Sequence, residues 1–155
     1  MPNQIDLEKI KKLTEKFFEK MGFEVEIEIS GKEEAVSINL RPKKPPEAAI
    51  LIGEKGETLF ELQHLLKAIL KKKIKGNFYL DLDINDYKKR KIEYLKELAL
   101  SIAKEVALSG REKELAPMSA SERRIIHLEL AEKPDITTQS IGKEPYRRII
   151  IRPYP

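Results

Sequence analysis

Two glycines three positions apart stand where one apolar run ends and another begins. No other feature of the chain restricts its backbone as tightly. The stretch reads Ile50-Leu51-Ile52-Gly53-Glu54-Lys55-Gly56-Glu57-Thr58-Leu59. Glycine reaches left-handed backbone freely and lets another backbone come close. The amides that follow open a helix, and a helix N-terminus attracts phosphate. A Gly-x-x-Gly pattern also arises by chance, so its meaning depends on its neighbours.

Those neighbours are regular. Ile10, Leu13, Phe17 and Met21 recur at spacings of three and four, which predicts a helix over residues 5–21, stopped by Gly22. Val25, Ile27 and Ile29 alternate with Glu24, Glu26 and Glu28, as in a strand with one buried face. Ser30-Gly31-Lys32-Glu33 reads as a turn, and Val36, Ile38 and Leu40 alternate again, so the two strands form a hairpin. Arg41-Pro42-Lys43-Lys44-Pro45-Pro46 is a stiff basic connector, and Pro46 suits the first position of a short helix ending at Ile52. Beyond Gly56, Leu59, Leu62, Leu66, Ile69 and Leu70 mark one side of a long helix that ends at Lys71-Lys72-Lys73 and Gly76. Lysines in a last turn complement the helix dipole. Phe78, Leu80, Leu82 and Ile84 form a third strand, with Tyr79, Asp81 and Asp83 on its other face.

The order helix, strand, strand, short helix, Gly-x-x-Gly, helix, strand resembles a type II KH domain. The loop is the feature by which KH domains clamp a nucleic-acid backbone. The competing reading is a small α+β domain in which the glycines only cap helices.

A second unit follows. Asn85 or Asp86 can cap a helix reaching Ser109, with Ile92, Leu95, Ala99, Ile102 and Val106 as its buried stripe. Residues 111–115 read as a short strand. Ser119-Ala120-Ser121-Glu122 has capping-box spacing and starts a helix running to Glu132. Residues 137–141 and 146–152 read as paired strands joined by Gly142-Lys143-Glu144-Pro145. On the capped helix Arg123 and His127 are four apart and share a face; Arg124 lies three before His127 on the same turn.

The segment Pro117-Met118-Ser119-Ala120-Ser121-Glu122-Arg123-Arg124-Ile125-Ile126-His127 resembles the R-3-H domain, named for an Arg and a His separated by three residues. Gly142-Lys143-Glu144-Pro145-Tyr146-Arg147-Arg148-Ile149-Ile150-Ile151 resembles the closing hairpin of that domain. Together with the first unit, they make nearly the whole chain similar to the Jag family, bacterial proteins joining a KH domain to an R-3-H domain. The expected class is α+β, with a type II KH domain over residues 1–85 and an R-3-H domain over 86–155. The latter would pack helices on a small mixed or antiparallel sheet. Jag proteins usually carry a further N-terminal domain, so a short form or a fragment is expected.

The resemblance implies single-stranded nucleic-acid binding, RNA foremost. Its carriers would be Gly53, Glu54, Lys55 and Gly56 in the loop and Arg123, Arg124, His127, Arg147 and Arg148 in the second unit. Arg presents a planar donor fork to phosphate; a neutral His hydrogen-bonds or stacks, and gains charge at lower pH. The plainer reading buries His127 at a sheet edge and pairs Arg123 with Glu122 or Glu129. On the closing strand Arg147 and Arg148 fall on opposite faces, and sequence does not say which joins Arg123. Glu54 and Glu57 weaken the case for the glycine loop, since a carboxylate beside phosphate opposes binding. The alternative function is a protein-interaction module in cell-envelope or elongation control, with a small single-KH protein as the partner the family implies.

Charge and composition limit other classes. The chain has 155 residues, no cysteine and two histidines, which excludes thiolate chemistry and disfavours a multi-histidine metal site. Asp81-Leu82-Asp83-Ile84-Asn85 imitates a calcium loop, but Asp86 replaces the required glycine and Ile92 the final Glu. Gly53 to Thr58 lacks the ending of a nucleotide phosphate loop. His64 reads as a boundary residue of the long helix. No side chain has partners that make it a convincing catalyst, so no enzyme activity and no cofactor are expected. The net charge of +4 divides evenly, +2 over residues 1–110 and +2 over 111–155, and so does not locate a ligand. With no leader-like or spanning apolar run, a cytoplasmic protein without membrane insertion is expected; the oligomeric state stays open.

Overall fold

The computed structural model describes residues 5–155; the first four positions of the expected KH unit lie outside the described residues. The chain forms two compact units, one ending at Lys88 and one beginning at Lys89.

In the first unit, helix α1 (Leu7–Lys20) is capped by Asp6, whose carboxylate accepts the Lys9 amide at 3.0 Å. Strands β1 (Val25–Lys32) and β2 (Ala35–Pro42) pair antiparallel, and β3 (Tyr79–Ile84) lies parallel to β2 on its other side. Between them come helix α2 (Pro46–Ile52), a single tight turn at Glu54–Gly56 and helix α3 (Glu57–Lys73). This is the element order expected from the sequence. Val36, Ile38, Leu40, Leu80, Leu82 and Ile84 bury one sheet face together with Ile10, Phe18, Leu66 and Leu70 of the helices. Full burial of one such side chain is worth about 1.5–3 kcal/mol.

Three local expectations are corrected. The hairpin turn is Glu33-Glu34, not residues 30–33, because the register runs on to Lys32 opposite Ala35. Gly31 belongs to the strand, where a Cβ would lie 2.9 Å from a Leu7 methyl carbon. The fully buried stripe of α1 is Ile10, Thr14 and Phe18, with Met21 exposed at the helix end. Thr14 tolerates burial because its hydroxyl donates to the Ile10 carbonyl at 2.8 Å. Of the two cap candidates for helix α4 (Tyr87–Ser109), Asp86 has its carboxylate held by Asn39 and Arg41. The Lys88 amide instead donates to Asp83, at 3.2 Å from each carboxylate oxygen.

In the second unit α4 buries Leu95, Ala99, Ile102, Ala103 and Val106, while Ile92 stands 40% exposed rather than buried. Strand β4 (Lys113–Glu114), helix α5 (Ala120–Leu130), and strands β5 (Ile136–Ile141) and β6 (Arg148–Pro153) complete it. The sheet is antiparallel with β6 central, in the order β4-β6-β5. Ile149 and Ile151 point into the core beside Ile126 and Leu130. The molecule is thus α+β, with one mixed and one antiparallel sheet. Among the described residues, no helix is long and apolar enough to cross a membrane.

Candidate nucleic-acid interface

The glycine loop is built by three departures from ordinary backbone within four residues. Gly53 has φ +74°, Lys55 +54° and Gly56 +78°. At Gly53 a side chain is doubly excluded: an added Cβ would sit 2.7 Å from the Thr58 Cβ and 3.0 Å from its amide nitrogen. At Gly56 it would meet the Tyr87 ring at 3.0 Å. Lys55 accepts left-handed backbone without glycine's freedom, a conformation costing about 1 kcal/mol or more. The turn leaves Glu54 and Lys55 exposed, with Glu57 exposed just beyond, while Leu51 and Ile52 anchor the preceding helix in the core. Ile52 therefore supports the loop from below. His64 is exposed and meets Phe60 edge to face, with ring centroids 4.5 Å apart.

The second cluster starts from a capping box. Ser119 Oγ accepts the Glu122 amide at 3.3 Å, and Glu122 accepts the Ser119 amide at 2.9 Å. This fixes the entry of α5 and uses Glu122 where the sequence left it as a partner for Arg123. Arg123 is 7% exposed, contrary to an open fork on the surface. Its Nη1 donates to the Met118 carbonyl at 2.7 Å and to Glu144 at 3.1 Å. Neither Glu122 nor Glu129 pairs with it. One turn on, His127 Nδ1 lies 2.7 Å from the Thr138 hydroxyl of β5. Burial, and then the nearby Arg123 charge, hold the His127 pKa below its ordinary value, so the ring is neutral at pH 7.

The register decides between the two arginines of the closing hairpin. Ser140 pairs with Ile149 and Thr138 with Ile151, and both isoleucines face the core. Thr138 and Ser140 therefore lie on the helix side of the sheet. Arg147 donates to the Ser140 hydroxyl at 2.9 Å and to the Gly142 carbonyl at 3.2 Å. Arg147 and His127 are thus tied to neighbouring hydroxyls on the same face. Arg148 is held on the other face by Glu114 at 2.8 Å, beside an Arg152–Glu112 pair at 3.0 Å. Arg124 is exposed on α5 and, among the described residues, forms no ion pair. The helix side of the sheet therefore carries Arg147 and a neutral His127, with the buried Arg123 one turn before His127; Arg124, three positions before His127, is exposed on the same helix. Sequence reading missed Thr138 and Ser140; their alternation with Thr137 and Gln139 was the available signal.

Residues 93–153 match the R-3-H domain, and this interval holds the whole cluster from Arg123 to Arg148. Over 131 residues the chain is 36% identical to "RNA-binding protein KhpB" of Clostridium symbiosum, covering 84% of this chain and 58% of that protein. It is 37% identical over 102 residues to the protein of that name from Lactiplantibacillus plantarum, covering 66% and 32%. The Bacillus subtilis relative of the same name is 33% identical over 107 residues, covering 68% and 51%. Residues 93–153 thus carry the R-3-H domain, and the chain over most of its length resembles the Jag family. It spans only part of these longer relatives, 58% of the Clostridium symbiosum protein. The family match places the Arg123–His127 pair within its named domain; the glycine loop lies outside the matched interval.

Proposed function

We propose that this chain binds single-stranded nucleic acid, RNA foremost, as a two-module adaptor without catalysis. The observation that carries the reading is the R-3-H interval, with half-buried Arg147 and a neutral His127 tied to one sheet face and Arg124 exposed on α5. Two arginine forks suit phosphate oxygens, and a neutral imidazole adds a hydrogen-bonding or stacking edge. The naming of its relatives as RNA-binding proteins supports the same class of ligand. In this reading residues 1–85 are a type II KH domain and residues 86–155 the R-3-H domain. Gly53, Glu54, Lys55 and Gly56 would form the first contact, and Arg123, Arg124, His127 and Arg147 the second. Within the second, Arg124, Arg147 and His127 touch the ligand and Arg123 positions them; Arg148, held on the opposite face by Glu114, stays outside it. Two weak contacts on one chain gain through effective concentration. The setting we assign is the cytoplasm.

Fluorescence anisotropy with labelled single-stranded RNA tests the reading. Binding should be saturable and should weaken with salt, because phosphate contacts release counterions. Absence of binding at low salt, with capture of a small single-KH protein instead, would favour the protein-interaction function.

A further inference from the structure

The sequence between Glu61 and Asp81 holds five lysines (67, 71, 72, 73 and 75) and no acidic residue. The rest of the chain holds 25 basic and 26 acidic residues. These 19 positions therefore net +5, while the rest of the chain taken together nets −1. They form the second half of α3 and the turn into β3. Lys71, Lys72, Lys73 and Lys75 are all exposed and, with Gly76 and Asn77, line an open recess of about 500 Å³. Among the described residues, none of these four lysines forms an ion pair. Lys9 of α1 adds a further ammonium, donating to the Lys73 carbonyl at 3.0 Å.

We propose that this lysine turn is a further phosphate-binding contact for single-stranded nucleic acid, separate from the glycine loop; it rests on the nucleic-acid reading above. The helix dipole explains only part of the cluster. A C-terminus carries about half a negative charge, and four cations exceed it several-fold. Lys75 lies outside the helix altogether. The neighbourhood favours a nucleic acid over a membrane. Tyr79 is 71% exposed, with the Lys67 ammonium 5.8 Å from its ring centroid, which makes a stacking surface with a cation attached. The turn has no exposed apolar side chain to enter a bilayer, since Ile74 is buried. The 17 residues of α3 separate the turn from the glycine loop by about 25 Å, or roughly seven stacked nucleotides. A short oligonucleotide at the loop does not reach it, and a long one does.

The test compares the full chain with a variant carrying Lys71→Gln, Lys72→Gln, Lys73→Gln and Lys75→Gln. A control carries Lys16→Gln, Lys20→Gln, Lys96→Gln and Lys104→Gln, so both lose four charges. Each is titrated with single-stranded RNA of about four and about fifteen nucleotides over a range of salt, and with vesicles containing anionic lipid. The proposal expects the first variant to lose about tenfold in affinity for the long RNA, with a salt slope shallower by up to about three. The control and the short RNA should change little. Equal losses in the two variants, or none in either, overturn the lysine contact while leaving the nucleic-acid reading intact. Loss of vesicle binding alone overturns it in favour of a membrane. A parent chain that binds no RNA of either length overturns both.

Discussion

The Arg123 guanidinium, 7% exposed, reaches across to Glu144 at 3.1 Å and ties the first turn of α5 to the β5–β6 connection. Its second bond, to the Met118 carbonyl, fixes the segment entering the same helix. The residue that gives the domain half its name is here committed to holding two segments together. Arg123→Ala should therefore lower unfolding stability by about 1–3 kcal/mol, the usual effect of losing charge-assisted hydrogen bonds. Arg123→Lys should recover only part of that, because one ammonium does not reproduce the planar fork. Urea midpoints measure both. A stability unchanged by the alanine would refute the positioning role.

Glu144 holds a carboxylate beside the cluster that the proposal assigns to phosphate. Glu144→Gln should raise RNA affinity about two- to threefold, the effect of one surface charge worth about 0.5 kcal/mol. The gain should shrink as salt rises. Anisotropy at two salt concentrations reads this directly; weaker binding by the variant would argue against phosphate at this face.

His127 makes stability depend on pH with a definite sign. Its folded pKa lies below the ordinary 6.5, from burial first and Arg123 second, so the unfolded chain binds the proton more readily. Stability should be level above pH 6.5 and fall as pH drops from there through the depressed folded value. Thermal melting of the parent against His127→Gln should show this loss only in the parent. Since the ring stays neutral at pH 7, its charge should not strengthen RNA binding between pH 7 and 8.

The two loop glycines can be separated from an ordinary turn glycine. Gly53→Ala meets both a left-handed φ and the Thr58 side chain, whereas Gly76, at φ +102°, has open space around it. Gly76→Ala should cost about 1 kcal/mol from backbone strain alone, and Gly53→Ala clearly more. Chemical denaturation of both variants measures the difference. Equal losses would mean that Thr58 gives way.

Glu54→Lys tests whether the loop touches phosphate at all. The residue is exposed next to Lys55, so the exchange should not disturb folding. Tighter RNA binding at low salt is the expected outcome. Unchanged binding would make the loop a structural element, with recognition left to the second unit.

Much of the fold was legible because apolar periodicity and burial coincide. Val36, Ile38 and Leu40 alternate in sequence and are buried in the sheet. Ser119 and Glu122 have capping-box spacing and form one. What was not legible depended on contacts distant in sequence. Gly31 reads as a turn residue until Leu7 is seen above it. Asp86 reads as a cap until Asn39 and Arg41 claim its carboxylate. Arg123 reads as an open fork until the β5–β6 connection brings Glu144 against it. Alternation alone put Arg147 and Arg148 on opposite faces, but only the strand register says which face holds His127.

The central claim is that the face carrying Arg124, His127 and Arg147 holds single-stranded RNA. The most direct test titrates labelled RNA with the parent chain and with an Arg124→Ala, Arg147→Ala variant at matched salt, with melting curves as a control for folding. The account predicts saturable binding by the parent and at least about a tenfold loss in the variant, with a shallower salt dependence. Equal affinity in a folded variant, or no binding by the parent at about 50 mM salt, would contradict it.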